Sequence, residues 1–283
     1  MLNSTTRTFR GMVSAVALLV LGAPMALAGP LMDRIEAGEP IRIGFANEAP
    51  FAYPGENGEP MGFVNAYVLG LLEKMGYDNV TPVVTDWGGL IPGLNANRLD
   101  IVTGGLNITG SRCENIAFSE PMLQAGDAFI VPAGNPKGIN NYQDLIEQNA
   151  IFVTGAGYNT GEIARREGVP DANVMQVPGN SEILAALLAG RADAGGVTYF
   201  TAVEMTEGRD DLEVSDISQL PDWTMNWASI GFRNSDQDFV DAFNVAQQDY
   251  LGSDEMMAAV AEYGYGPENL PTGQTAEWVC ANR

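Results

Sequence analysis

Four loop segments of this chain carry the residue types and spacings that could do chemistry. Phe45-Ala46-Asn47-Glu48-Ala49-Pro50-Phe51-Ala52-Tyr53 sets a carboxylate among aromatic rings and a rigid proline. Ring faces and a carboxylate both attract positive charge, so this segment suits a cation. Asp86-Trp87-Gly88-Gly89-Leu90 presents an indole, large and seldom wholly buried, at the edge of an element. In Gly104-Gly105-Leu106-Asn107-Ile108-Thr109-Gly110-Ser111-Arg112-Cys113 the glycines permit close backbone approach and Thr109 can cap the turn that follows. Arg112 adds a planar fork of donors suited to a carboxylate. In Thr154-Gly155-Ala156-Gly157-Tyr158-Asn159-Thr160-Gly161, main-chain amides at a helix start could hold an anion. The dinucleotide fingerprint is not met there, because the third glycine comes one residue late at Gly161. Each segment also has a plain structural alternative. Phe51, Tyr53 and Trp87 could plug a core, Glu48 could be solvated, and Arg112 could pair with one of the 36 acidic residues.

The elements that must position these loops are legible from periodicity. Short apolar runs at Ile41 to Ala46, Val80 to Val84, Asp100 to Thr103 and Phe129 to Val131 predict strands. Helical spacing predicts helices over Phe63 to Met75 and Gly89 to Asn95. A cluster of turn formers, Pro132-Ala133-Gly134-Asn135-Pro136, then precedes a second set. That set has strands at Ile151 to Val153, Val174 to Val177 and Asp193 to Val197, and helices at Thr160 to Glu167 and Ser181 to Leu188. Ala228 to Phe232 predicts a further strand, and Phe239 to Leu251 and Glu255 to Tyr263 predict closing helices. Such alternation indicates two α/β sheets covered by helices, with a cleft between them and the chemistry in strand-to-helix loops.

Composition removes whole classes of function. The 283 residues contain no histidine, so histidine-assisted nucleophilic catalysis, histidine-ligated zinc and a histidine pH switch are excluded. A formal charge of -22 opposes nucleic acid and anionic lipid. Met1 to Ala28 reads as a cleavable signal peptide: Arg7 and Arg10, an apolar run from Met12 to Leu21, then Ala26-Leu27-Ala28. Export to a periplasm follows as the expectation, with a mature chain of Gly29 to Arg283. In an oxidising compartment Cys113 and Cys280 are candidates to pair, with buried free thiols as the alternative. No metal, cofactor or catalytic group is expected.

One stretch is more specific. Ile108-Thr109-Gly110-Ser111-Arg112 followed by Phe118-Ser119-Glu120-Pro121 resembles the I-T-x-x-R and F-S-x-P run of the polar amino-acid family of periplasmic solute-binding proteins. Ala49-Pro50-Phe51, Gly62-Phe63, Asp100-Ile101-Val102 before Gly104-Gly105, and Leu187 to Ala194 are similar to that family too. The resemblance implies a two-lobe, type II periplasmic-binding fold with two hinge strands, which serves an ABC importer and its inner-membrane permease subunits as a monomer. On this chain it puts lobe 1 at residues 29–131 plus 230–283, lobe 2 at 132–229, and hinges near Val131 to Asn135 and Trp227 to Phe232.

The same resemblance implies a ligand. In the family an arginine at the place of Arg112 holds the ligand's carboxylate, and an aspartate in the second lobe holds its ammonium. Here Thr198 stands at the aspartate's place and Asn107 at that of a helping threonine. A zwitterion with a delocalised cation is therefore expected. The loop Asn47 to Phe51 resembles that of ectoine and hydroxyectoine receptors, which assigns Glu48, Phe51, Trp87 and Arg112 to the ligand. In those receptors a third aromatic wall occupies the place of Asn107, so the box is expected to be open on that side. Gly157, Tyr158, Asn159, Thr160 and Thr198 join the candidates by loop position, with Asn226 and Trp227 weaker. A dehydratase acting through Glu48 on the same fold is the enzymatic alternative.

Overall fold

The computed structural model describes Met1 and residues 29–283. The signal-peptide expectation falls on residues outside that range. No helix among the described residues is long and apolar enough to cross a membrane.

In chain order the strands are β1 (Ile41–Phe45), β2 (Tyr53–Pro54), β3 (Pro60–Met61), β4 (Val80–Val84), β5 (Ile101–Asn107), β6 (Ala117–Phe118) and β7 (Leu123–Ala125). They continue with β8 (Asp127–Pro132), β9 (Phe152–Gly155), β10 (Val174–Val177), β11 (Ala194–Thr198), β12 (Leu212–Val214) and β13 (Asn226–Phe232). One large sheet runs β4-β1-β5-β13-β6, with β7 also on β13; a second runs β10-β9-β11-β8-β12; β2 and β3 pair as a separate two-stranded sheet. Each large sheet has three neighbouring parallel strands and an antiparallel neighbour, β13 beside β5 and β8 beside β11. The molecule is thus the two-lobe α/β type II fold.

Both faces of each large sheet are covered, which is why its strands read as nearly continuous apolar runs. Along β8, Ala128 and Ile130 enter one core while Phe129 and Val131 enter another. Ile101 and Val102 divide in the same way between the two cores of the first sheet, as the period-two pleat requires. The loop end of β5 is held by its other end: Asp100 is fully buried, accepts from the Arg42 side chain at 2.8 Å and pairs with Arg233 at 3.1 Å. Burial alone would raise its pKa, but the Arg42 hydrogen bonds win and its carboxyl lies below the ordinary value.

The sheets correct the expected boundary. β8, which includes Val131, pairs only within the second sheet, and the crossing from the first sheet comes earlier, at Gly126 between β7 and β8. The return crossing also comes earlier, since β13 begins at Asn226 and all of it lies in the first sheet. A turn cluster at Pro132 to Pro136 marks the end of a strand, and the sequence offers no comparable signal for a strand that changes sheet. The short helices Gly110–Cys113, Tyr142–Glu147, Tyr199–Thr206 and Ala276–Asn282 are additions to the sequence reading. The last is tied back to the first lobe by the Cys113–Cys280 disulfide, across 167 residues.

Candidate functional site

Glu48 follows β1 by three residues, and its loop closes on itself: Glu48 N donates to Ala52 O (2.9 Å) and Phe51 N to Glu48 O (2.8 Å). This turn points both side chains inward. Glu48 is 6% exposed and Phe51 4%. Phe51 packs at 4.7 Å against Phe63 with the rings tilted by 49°, and it meets Phe200 of the second lobe edge-on at 5.9 Å. Behind it, Gly105 has φ +69°, and a Cβ there would lie 2.6 Å from Phe51 Cδ1, so only glycine fits.

The other first-lobe groups come from the loops after β4 and β5. Trp87 Nε1 donates to Gly157 O of the second lobe at 3.3 Å. Arg112 lies on the helix that Thr109 caps, accepting from Arg112 N. Its guanidinium donates to Asn107 O (2.6 Å) and Gly157 O (2.9 Å) and stands 5.8 Å from the Trp87 ring.

The second lobe answers from the loop after β9. Gly157 adopts φ +82° and turns the chain, so that Tyr158 reaches across the cleft. The Tyr158 hydroxyl donates to Glu48 Oε1 and lies 3.1 Å from Asn180 Oδ1, while its ring meets Trp87 edge-on at 5.2 Å. Asn107 Nδ2 donates to Asn159 Oδ1 at 3.0 Å. Thr160 shares a 2.5 Å hydrogen bond with Thr154 and donates to Gly196 O. Thr198 accepts from Thr201 N and caps the helix that follows β11.

Glu48, Phe51, Trp87, Asn107, Tyr158, Asn159, Thr160 and Thr198 therefore line one cavity. Arg112 and Gly157, also expected at the site, are not in its lining: they are bonded to each other and lie behind it, with Arg112 5.8 Å from the Trp87 ring and also bonded to Asn107 O. Gly104, Gly105, Val197 and Thr201 complete the lining. Thr201, absent from the sequence expectation, gives Thr198 its cap partner through the backbone amide, so its residue type offers no signal. The box expected to be open at Asn107 is closed from the other lobe: Asn107 is bonded to Asn159, and Tyr158 supplies a ring that no first-lobe pattern could reveal. The cavity, about 40 Å³, holds only about three waters with the lobes in contact. Tyr158–Glu48 is a contact across the cleft between two of the lining residues.

Burial pushes the Glu48 pKa up to about 7, partly offset by the Tyr158 hydrogen bond. Arg112 is brought down to about 10 by burial, with Glu162 opposing. Neither has an ion-pair partner among the described residues. A chain of amides runs from this site to the hinge. Asn159 Nδ2 donates to Asn226 Oδ1 (3.1 Å), and Asn226 Nδ2 donates to Asp127 Oδ1 (2.8 Å). Asp127 opens β8 immediately after the crossing. Burial raises it to about 7, and its Oδ2 has no partner. The arrangement offers a buried carboxylate walled by aromatic rings, a buried guanidinium and a polar second-lobe face. No group of three or more metal-ligating side chains lies among the described residues.

Residues 41–266 match the family model of the bacterial extracellular solute-binding proteins, family 3. A probable amino-acid ABC transporter periplasmic-binding protein of Sinorhizobium fredii is 33% identical over 278 residues, covering 95% of this chain and 92% of the relative. The cyclohexadienyl dehydratase of Pseudomonas aeruginosa is 27% identical over 190 residues, covering 66% of this chain and 70% of that enzyme. Among solved structures, EhuB in complex with hydroxyectoine is similar with a TM-score of 0.81 and 28% identity, covering 90% of this chain and 98% of EhuB.

Proposed function

Because the chain belongs to the bacterial extracellular solute-binding proteins, family 3, we propose that it is the periplasmic receptor of an ABC importer. Its ligand, on this reading, is ectoine, hydroxyectoine or a related compatible solute. The solute is held between the lobes and handed to the permease subunits by a monomeric receptor.

One observation carries the ligand reading: Glu48 is buried against the cavity, beside Phe51, Trp87 and Tyr158, with its pKa raised to about 7 and no ion-pair partner among the described residues. A buried carboxylate without a cation is costly, and a ligand cation removes the cost. Ring walls favour a flat, delocalised charge such as an amidinium over a compact, strongly hydrated ammonium. Thr198 points the same way, because a capping hydroxyl stands where an ammonium would need a carboxylate. Arg112 supplies the anion side: its donors rest on the carbonyls of Asn107 and Gly157, and a ligand carboxylate replaces neutral acceptors with a charged one. Similarity to EhuB in complex with hydroxyectoine supports this assignment.

The name of the S. fredii relative favours a second reading, a receptor for a polar amino acid whose ammonium pairs with Glu48. Thermal denaturation with each solute separates the two. At about 100 times its dissociation constant a true ligand stabilises the folded state by roughly 2.7 kcal/mol. A shift with ectoine or hydroxyectoine and none with polar amino acids is expected; the reverse overturns the ligand assignment. A carboxyl with a pKa of about 7 also suits general-acid chemistry, and the Pseudomonas relative is a dehydratase. Incubation with prephenate is expected to give no product, and turnover would replace the receptor reading with an enzymatic one.

A further inference from the structure

A second cavity, about 220 Å³, opens between the lobes, sharing Asn159 with the solute cavity. Its walls include Ser111, Glu162, Arg166, Trp223 and Arg283. Arg166 ends the helix Asn159–Arg166 of the second lobe, and Arg283 follows the helix that the disulfide ties to the first. In a chain with 14 basic against 36 acidic residues, two arginines converging on one cavity without a carboxylate partner are unusual. Among the described residues no ion pair joins either guanidinium to a carboxylate.

Both heads are held in place by aromatic rings. The Arg166 guanidinium lies 4.3 Å from the Trp223 ring centre and that of Arg283 4.8 Å from Trp227. Arg283 also donates from one terminal nitrogen to Trp223 O, and its main-chain oxygen accepts from Gly110 N at 2.9 Å. Its Nε is buried without a partner. Burial lowers the Arg283 pKa, and the nearby Arg166 charge lowers it further, so the two like charges repel. Glu162 is the carboxylate side chain of the lining and faces Ser111 at 3.4 Å, while the main-chain carboxylate of Arg283 is engaged by Gly110 N at 2.9 Å.

We propose that this cavity is an inter-lobe site for a small oxyanion, a sulfate, phosphate or carboxylate group, bridging Arg166 and Arg283. Planar guanidiniums stacked on rings keep their in-plane donors free for oxyanion oxygens. A bridging anion cancels the repulsion between the two arginines and ties one lobe to the other, so it favours the closed molecule.

The test uses the full chain at constant ionic strength, titrated with sodium sulfate and, separately, sodium succinate against chloride. Tryptophan emission reports directly, since Trp223 and Trp227 back the two arginines. A saturable emission change with a parallel rise in Tm is expected. Arg166→Gln, at an exposed position, should weaken binding by roughly tenfold, the scale of one lost charge-assisted contact. Arg165→Gln, which removes the neighbouring arginine already paired with Asp171, should leave the titration unchanged. Saturation by succinate alone assigns the site to carboxylates. Equal, non-saturating responses in the wild type and both variants indicate a general salt effect and overturn the proposal.

Discussion

Glu48 concentrates the chemistry of the molecule in one side chain. Its environment holds the proton up to about pH 7, whereas a bound cation needs the ionised form. Solute affinity should therefore rise with pH and level off above 7, falling by about tenfold per unit below it; a flat calorimetric profile from pH 5 to 8 would remove Glu48 from the cation site. Stability should run the other way. Between its ordinary value of 4.5 and about 7, folded Glu48 keeps a proton that the unfolded chain has released, so stability falls as pH rises through that window. Asp127 adds to the same slope from 3.8 to about 7. Glu48→Gln keeps an acceptor for Tyr158 and should raise stability at pH 8 by about 1–3 kcal/mol while abolishing binding. Unchanged Tm with retained affinity would contradict both halves. Glu48, Phe51, Trp87 and Arg112 stand out in the sequence as residues of loops after strands, while their assignment to a ligand rests on the family resemblance; Glu48, Phe51 and Trp87 line the cavity. Tyr158's bond to Glu48 spans 110 residues and crosses the cleft, and no local pattern records it.

The strands place these residues by their ends, and their registers explain what was and was not readable. Val80–Val84 and Val174–Val177 matched the sequence reading to the residue, since each is bounded by turn formers. β5 runs four residues beyond its expected end, through Gly104-Gly105, because Gly104 admits Trp87 and Leu90 and Gly105 admits Phe51, and neither ends the strand. Gly105→Ala is expected to cost about 2–4 kcal/mol, combining a positive φ with displacement of the Phe51 ring; denaturant unfolding with a loss under about 1 kcal/mol would show that the ring moves freely. The crossings lie at Gly126 and before Asn226, several residues ahead of the expected lobe boundaries. A crossing strand keeps the same apolar alternation as one that stays in its sheet, so hydrophobicity alone does not locate the change.

At the scale of the whole chain, two lobes of α/β sheet, a cleft and a C-terminal helix bound by the Cys113–Cys280 bridge form one receptor architecture. Replacing both cysteines by serine frees a closed loop of 167 residues and should cost about 3–5 kcal/mol, read as a fall in Tm; an unchanged Tm would show that helix packing suffices. The -22 charge has a role in the same account. An acidic surface keeps a chain soluble where salt screens repulsion, as the proposed compatible-solute ligand would require, and marked loss of solubility in about 1 M salt would count against that proposal. The central claim remains the zwitterion trap closed by Glu48 and Arg112. Calorimetric titration of the purified protein with ectoine, hydroxyectoine, glycine betaine and the polar amino acids at pH 7.5 tests it most directly. The account predicts one saturable site for ectoine or hydroxyectoine, lost in both Glu48→Gln and Arg112→Ala. Saturation by a standard amino acid alone, or ectoine binding that survives both substitutions, would contradict it.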